Sequence, residues 1–181
     1  MKIKWQRIAY LMLIIVFLGA IFTSVYYLLG GFEPIEIYRI VDGKRIVVGK
    51  QFNTMVSNDE PRVFFEKCQE MLDADNIDGK LTVISYANDT LQRGEIAQFI
   101  GIELNGDMAE IPRKFEVLEL DSAVYYKMFL TMHPLVHPRT INHLTMLQEE
   151  ANKNNEKLIG HLLTTFYPDN SKVAESWVAN Q

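Results

Sequence analysis

The sequence of 181 residues is poor in cysteine and in familiar catalytic motifs. Cys68 is its only cysteine, so no disulfide can form within the chain. It has no Gly-x-Ser-x-Gly elbow, no phosphate-binding loop and no Gly-x-Gly-x-x-Gly fingerprint, which removes the usual sequence signs of serine hydrolases and nucleotide-binding enzymes. No acidic residue precedes Glu33, and residues 8–29 carry no charge of either sign.

The uncharged stretch, residues 8–29, reads IAYLMLIIVFLGAIFTSVYYLL. A helix rises about 1.5 Å per residue, so this stretch can cross the roughly 30 Å hydrocarbon layer of a bilayer. A cleaved signal has a shorter apolar core, of about 7–15 residues, followed by a small-x-small site. Here the run ends in Gly30-Gly31, which matches such a site poorly. We therefore predict an uncleaved transmembrane helix, with the lipid bilayer as its partner.

Basic residues lie on both sides of this helix. Three of them fall within residues 1–7, close to the helix and without acids, whereas those that follow it begin at Arg39. The positive-inside rule therefore favours a cytoplasmic N-terminus. The sequence predicts a single-pass protein of the cell inner membrane, with residues 1–7 as a cytoplasmic tail and residues 30–34 as a linker. The remainder is expected on the periplasmic or extracellular side.

The part after the helix carries a negative charge. Residues 33–181 hold all 23 acidic residues and 15 of the 18 basic ones, a net charge of −8. The length of this part suits one domain with a hydrophobic core. No nucleic-acid partner is expected, because phosphate binding requires a basic surface.

The first half of this domain, residues 35–107, combines strands with one amphipathic helix. Residues 35–48 alternate and are rich in β-branched residues, with a turn or bulge signal at Asp42-Gly43. The helix follows, and Cys68 lies on its apolar face, where it is expected to pack in the core. Two further alternating strands are predicted over residues 80–87 and 95–104.

The second half, residues 112–181, repeats this order. Residues 114–129 predict one long strand, and Thr140 is expected to cap a helix that continues to residue 151. Two short strands complete the unit, over residues 162–167 and 173–179. The predicted fold class is α+β: a duplicated β-α-β-β domain, with two helices on one face of a curved antiparallel sheet. Its other face is concave and available to a ligand.

This order of elements resembles the GyrI-like domain, which is also the effector-binding domain of AraC-type and MerR-type bacterial activators. The resemblance covers residues 34–181 and implies a ligand-binding domain of that fold. A membrane helix stands here in place of DNA-binding helices. Four places carry the resemblance: Pro34-Ile35-Glu36-Ile37, the strands 80–87 and 95–104, the strand 114–129, and Tyr167-Pro168 followed by Val173-Ala174-Glu175-Ser176-Trp177.

The resemblance implies a ligand site around one acid. In that family a glutamate of the last strand points into an apolar cleft between the repeats, and the matching residue here is Glu175. The two-residue period of a strand places Glu175 on one face with Val173 and Trp177, where an acid must be paired or await a cation. The alternative is a solvated acid near the chain end. The expected walls of the cleft are Trp177, Tyr86, Phe99 and Tyr125, each of which could instead belong to the core.

A carboxylate surrounded by flat rings suits a lipophilic cation, through charge pairing and cation–π contact. We therefore expect a small amphipathic or cationic molecule as ligand, and a binding protein rather than an enzyme. Two alternatives stay open. One is a hydrolase in which Glu175 is the general base, helped by Tyr86 or Tyr125. The other is a protein-interaction domain that keeps the fold without a ligand.

Neither a cofactor nor a metal ion is expected. His133 and His137 are four residues apart, a spacing that brings two imidazoles together on a helix. Pro134 and Pro138 interrupt any helix there, so a metal site is not predicted.

Overall fold

The computed structural model describes residues 5–74, 77–86, 91–106, 112–121 and 123–179. Its contacts divide the chain into two units. The first unit comprises Met1–Pro34 with Met132–His137, and the second comprises Ile35–Thr131 with Pro138–Gln181.

The first unit is built around helix α1, Trp5–Leu28. Within it Ile8–Leu28, 21 residues with a mean hydropathy of 2.5, is long and apolar enough to cross a membrane and has no buried part. Gly30 lies just beyond the last residue of the helix, and its φ of 78° and its N–H bond to the Tyr27 carbonyl at 3.0 Å are typical of a helix C-terminus. The segment 132–137 joins this unit through the His133 N–H, which donates to the Leu29 carbonyl at 3.0 Å.

In its described residues, the second unit is a sheet of eight antiparallel strands with two helices on one face. The helices are α2 Glu60–Asp73 and α3 Thr140–Lys153. The strands are β1 Ile37–Asp42, β2 Arg45–Met55, β3 Gly79–Ser85, β4 Glu95–Leu104, β5 Glu116–Leu120, β6 Ala123–Leu130, β7 Leu162–Phe166 and β8 Lys172–Trp177. They lie in the order β1-β6-β8-β7-β3-β4-β2-β5. The α+β class and the curved antiparallel sheet predicted from the sequence are confirmed.

The duplication takes the form of two halves that exchange their first strands. Each half runs strand, strand, helix, strand, strand, so it has four strands rather than the three expected. The predicted strand 114–129 is in fact two strands, β5 and β6. Strand β1 pairs with β6 of the second half, while β5 pairs with β2 of the first half. Strands β3 and β7 join the halves at the centre of the sheet.

This exchange forces the sheet to curl. Strands β1 and β2 stand six places apart in the sheet, a distance of roughly 29 Å in a flat sheet with strands about 4.8 Å apart. Yet only Gly43 and Lys44 separate them along the chain, and three extended residues span at most about 11 Å. The same holds for β5 and β6, which are also six places apart and almost contiguous in sequence. The sheet therefore bends into a half-barrel whose ends approach each other.

The helices cover the outer, convex face of the half-barrel. Cys68 of α2 is fully buried there beside Val48, Leu81 and Ile102. Burial raises the pKa of the Cys68 thiol to about 11, as suits an inert core thiol, and the predicted packing role is confirmed.

Helix α3 begins one residue earlier than a Thr140 cap would require. Thr140 is its first helical residue, and Arg139 is the N-cap, with extended dihedrals of φ −61° and ψ 141°. The predicted cap at Thr140 is therefore wrong by one position.

An ionic network ties the exchanged strand β1 to the end of α3. Arg39 holds both carboxylate oxygens of Glu156, with its Nη2 2.7 Å from Oε1 and its Nε 3.0 Å from Oε2. The Tyr126 hydroxyl donates to Glu156 Oε2 at 2.6 Å, and the Asn154 side-chain amide donates to the same hydroxyl at 2.9 Å. The Arg39 and Tyr126 hydrogen bonds lower the pKa of Glu156 to about 2.

Candidate functional site

The concave face of the sheet carries a buried carboxylate. Glu175 of β8 has only 2% of its side chain exposed. Arg45 Nη1 donates to its Oε1 at 2.9 Å, and Lys127 Nζ lies 3.1 Å from its Oε2. Strands β2 and β8 stand four places apart in the sheet, so this contact exists only because the sheet curls. Glu175 is therefore neither solvated nor unpaired.

Two more acids complete an ion cluster, defined here as Asp42, Arg45, Glu103, Lys127 and Glu175. Asp42 Oδ2 lies 2.5 Å from Lys127 Nζ, and Glu103 Oε2 lies 3.4 Å from Arg45 Nη1. Three acids face two bases, so the ion cluster has a formal net charge of −1. Both halves of the duplication contribute to it.

Burial and charge pairing compete within the ion cluster. For Arg45 and Lys127, burial disfavours the charged form, but neighbouring carboxylates outweigh it and raise the pKa of each. For Asp42, burial is likewise outweighed, here by Lys127 and Arg45, and its pKa is lowered. Glu103 differs, because burial raises its pKa despite Arg45. Glu103 is thus less well compensated than Asp42.

A row of aromatic rings adjoins the ion cluster. The Arg45 guanidinium lies over the Tyr125 ring, 4.5 Å from its centroid. Tyr125 lies 5.8 Å from Trp177, Trp177 lies 5.8 Å from His161, and His161 meets Tyr86 edge-on at 4.9 Å. This aromatic row, Tyr125-Trp177-His161-Tyr86, passes from a buried ring at the ion cluster to half-buried rings at the rim. Burial lowers the pKa of His161 and so favours its neutral ring.

The floor of the concave face is apolar. Val47, Ile84, Phe99, Leu120 and Leu163 are buried against one another, with Tyr86, Leu118 and Trp177 partly buried around them. All five residues singled out from the sequence thus lie on one face: Glu175, Trp177, Tyr86, Phe99 and Tyr125. Glu175, Phe99 and Tyr125 are buried, whereas Trp177 and Tyr86 keep exposed surface.

Sequence reasoning missed the cations of this site and its histidine. In the sequence, Arg45 is only one of the basic residues that follow the membrane helix, and Lys127 lies inside the predicted strand 114–129. A signal for Lys127 did exist, since it lies between Tyr125 and Phe129 on one face of β6 by the two-residue period. His161 offered no such signal, because it lies just before β7 and its neighbours come from distant parts of the chain.

The predicted histidine pair has a local structural role. The His133 ring accepts a hydrogen bond from the Leu135 N–H at 3.3 Å, and His137 Nε2 lies 2.7 Å from the Met132 carbonyl oxygen. Within the described ranges, no group of three His, Cys, Asp or Glu side chains is arranged to hold a metal ion.

Comparison with known proteins gives likeness in structure but not in sequence. Neither protein-family models nor curated proteins match the sequence. The crystal structure of the EcmrR C-terminal domain superposes with a TM-score of 0.58 and 10% identity, over 81% of this chain and 99% of that one. EcmrR in a complex with DNA gives a TM-score of 0.56 and 10% identity, over 97% of this chain and 70% of that one.

The crystal structure of a hydrolase from Listeria innocua also superposes, with a TM-score of 0.52 and 9% identity over 80% of this chain and 92% of that one. Identities this low show a common fold and nothing finer. The fold implied by the resemblance is confirmed. The absence of a nucleic-acid partner stays a prediction.

Proposed function

We propose that this chain is a membrane-tethered, GyrI-like effector-binding domain whose concave face takes a small amphipathic molecule. One observation supports this most strongly. A carboxylate that is 98% buried within an ion cluster adjoins a row of aromatic rings, three of which are half-buried at the rim. A few polar groups beside apolar and aromatic surface in a concavity are typical of small-molecule sites.

The apolar part of the ligand is expected to contact Trp177 and Tyr86, two of the half-buried members of the aromatic row. A cationic ligand is favoured only mildly. Arg45 and Lys127 already compensate the charge of Glu175, which leaves a net charge of −1 shared by the whole ion cluster. Contact with the aromatic rings is therefore expected to contribute more to binding than a positive charge on the ligand.

Titration of the full-length protein in phosphatidylcholine nanodiscs tests this proposal. A Trp5→Phe background leaves Trp177 as the only tryptophan, so its fluorescence reports on the rim. Tetraphenylphosphonium and triphenylphosphine oxide serve as probes, with empty nanodiscs to correct for partitioning into lipid. We expect saturable quenching, reduced by Tyr86→Ala but not by Glu119→Gln, a change in an exposed ion pair with Lys44. Quenching that is equal in all variants, or that does not saturate, would refute the binding function.

The tether rests on the length and hydropathy of α1. We propose a single span of the inner membrane, with residues 1–7 in the cytoplasm and the domain outside it. Fusions at the C-terminus test both statements. Alkaline phosphatase should be active there and green fluorescent protein dark, and the protein should resist extraction by alkaline carbonate. The reverse fusion result would invert the topology, and release of a shortened chain would identify the helix as a cleaved signal.

Hydrolysis by Glu175 has less support than binding. A general base needs a free oxygen, whereas each oxygen of Glu175 faces a cation at 2.9 or 3.1 Å. Turnover of an ester by the wild-type protein and not by Glu175→Gln would revive that alternative. A domain that binds only other proteins would show saturable binding of neither probe.

A further inference from the structure

Arg45 carries more hydrogen-bond donors than its neighbours use. A guanidinium has five N–H hydrogens. Nη1 reaches Glu175 at 2.9 Å and Glu103 at 3.4 Å. Nε and Nη2 are buried and have no hydrogen-bond acceptor among the described residues, although 90% of the side chain is buried. Nε lies 3.9 Å from Asp42 Oδ2, which is too far for a hydrogen bond.

Three N–H hydrogens of a charged group thus lack acceptors in the interior of the half-barrel. Such groups are rare in folded proteins, because each has lost its hydration without gaining a partner. The guanidinium stacks on the Tyr125 ring, while Nε and Nη2 remain without a hydrogen-bond partner among the described residues. The arrangement calls for an additional acceptor atom beside Nε and Nη2.

The charges of the neighbouring groups restrict what that acceptor can be. A ligand anion would meet Glu175, Glu103 and Asp42 in a cluster whose net charge is already −1. A simple cation offers no lone pair and is repelled by Arg45. A neutral oxygen, such as that of a carbonyl, an amide or a phosphine oxide, accepts both N–H groups and adds no charge.

We infer that Arg45 is a specificity-determining residue, which anchors the ligand by a neutral hydrogen-bond acceptor carried on an aromatic or otherwise apolar body. The body lies along the aromatic row, because Tyr125 contacts both Arg45 and the half-buried Trp177. This inference rests on the proposed binding function and names the polar group that the site selects. The residue that anchors the ligand is then Arg45 rather than Glu175, and Glu175 orients the guanidinium through their ion pair.

A series of triphenyl probes separates the three charge types. Triphenylphosphine oxide is a neutral acceptor, tetraphenylphosphonium a cation and triphenylacetate an anion, and all three present similar rings. Arg45→Lys keeps the positive charge and can still pair with Glu175, but it loses the in-plane donors Nε and Nη2. Arg62→Lys is the matched control, since Arg62 lies on the exposed surface of α2. Titrations use the full-length protein in nanodiscs, with the Trp177 signal described above.

The wild-type protein should bind triphenylphosphine oxide more tightly than either charged probe. Arg45→Lys should weaken that binding by about 10-fold to 100-fold, the usual effect of losing hydrogen bonds to a charged donor. Binding of tetraphenylphosphonium should change by less than about 3-fold, and Arg62→Lys should change neither. Melting temperatures of all variants, measured without probe, show whether the domain is folded.

The contrary outcomes are distinct. If Arg45→Lys leaves phosphine oxide binding unchanged, or weakens all three probes equally, Arg45 does not select the acceptor, and Nε and Nη2 are hydrated instead. If the cation or the anion binds best to the wild type, the inferred ligand class is wrong while the binding function stands. If no probe binds the wild type saturably, the proposed function and this inference both fail.

Discussion

Removing Arg45 should destabilise the domain more than removing the charge of Glu175, although the two groups form one ion pair. Arg45→Met leaves Glu175 buried with Lys127 alone and leaves Glu103 without its contact at 3.4 Å, so the ion cluster goes to −2. Glu175→Gln instead brings the cluster to neutrality, since Arg45 keeps Glu103 and Lys127 keeps Asp42.

The expected magnitudes follow from this asymmetry. At 2.9 Å and an effective dielectric constant of about 20, the attraction within the pair is roughly 6 kcal/mol before desolvation is subtracted. Breaking a buried pair from one side costs about 3–5 kcal/mol, which we expect for Arg45→Met. The loss of a charged hydrogen bond costs about 1–3 kcal/mol, which we expect for Glu175→Gln. The double variant should be less destabilised than the sum of the two by at least about 1 kcal/mol.

Urea unfolding of the full-length protein in detergent measures all four free energies of unfolding at one pH. High salt should alter the ranking little, because a buried pair is poorly screened. The coupling is refuted if the destabilisation of the double variant equals the sum of the two single variants within about 0.5 kcal/mol. The excess negative charge of the ion cluster is refuted if Glu175→Gln costs as much as Arg45→Met.

Three further predictions concern pH and backbone packing. The pKa of Glu156 is about 2 in the fold and 4.5 ordinarily, so its contribution to stability is present above about pH 4.5 and is lost as pH falls towards 2. Glu156→Gln should flatten the fall of the melting temperature in that window. Burial lowers the pKa of His161, so stability present above its ordinary value of 6.5 should decline as pH falls, and His161→Phe should remove that decline between about pH 7 and 5. A Cβ on Gly101 would lie 2.3 Å from a backbone oxygen and 2.8 Å from the Gly49 Cα across the β2–β4 pair. Gly101→Ala should therefore cost about 2 kcal/mol or more in urea unfolding. Gly106→Ala is its control, because a Cβ there meets nothing within 4 Å. Equal effects of the two alanines would contradict this account of the sheet.

Much of the fold could be predicted because its determinants are local. The apolar run that forms α1, the helical period around Cys68 and the alternation of β3 and β4 each depend on residues close in sequence. The division of residues 114–129 into β5 and β6 could not be foreseen, since alternation continues through both strands. The first of these strands ends after Leu120 because the chain must pass from one end of the curled sheet to the other before β6 begins.

For the candidate site, the sequence alone determined which face of its strand carries Glu175, and that Trp177 accompanies it, because the side chains of a strand alternate every two residues. Tertiary structure alone decided that the acid has partners. Arg45 is 130 residues away along the chain, and no local pattern records which distant side chains a curled sheet with exchanged strands will bring into hydrogen-bond range. This ion pair changes the chemistry of the concave face. The sequence predicts an unpaired carboxylate that would bind a cation, whereas the structure has a guanidinium with unused hydrogen-bond donors.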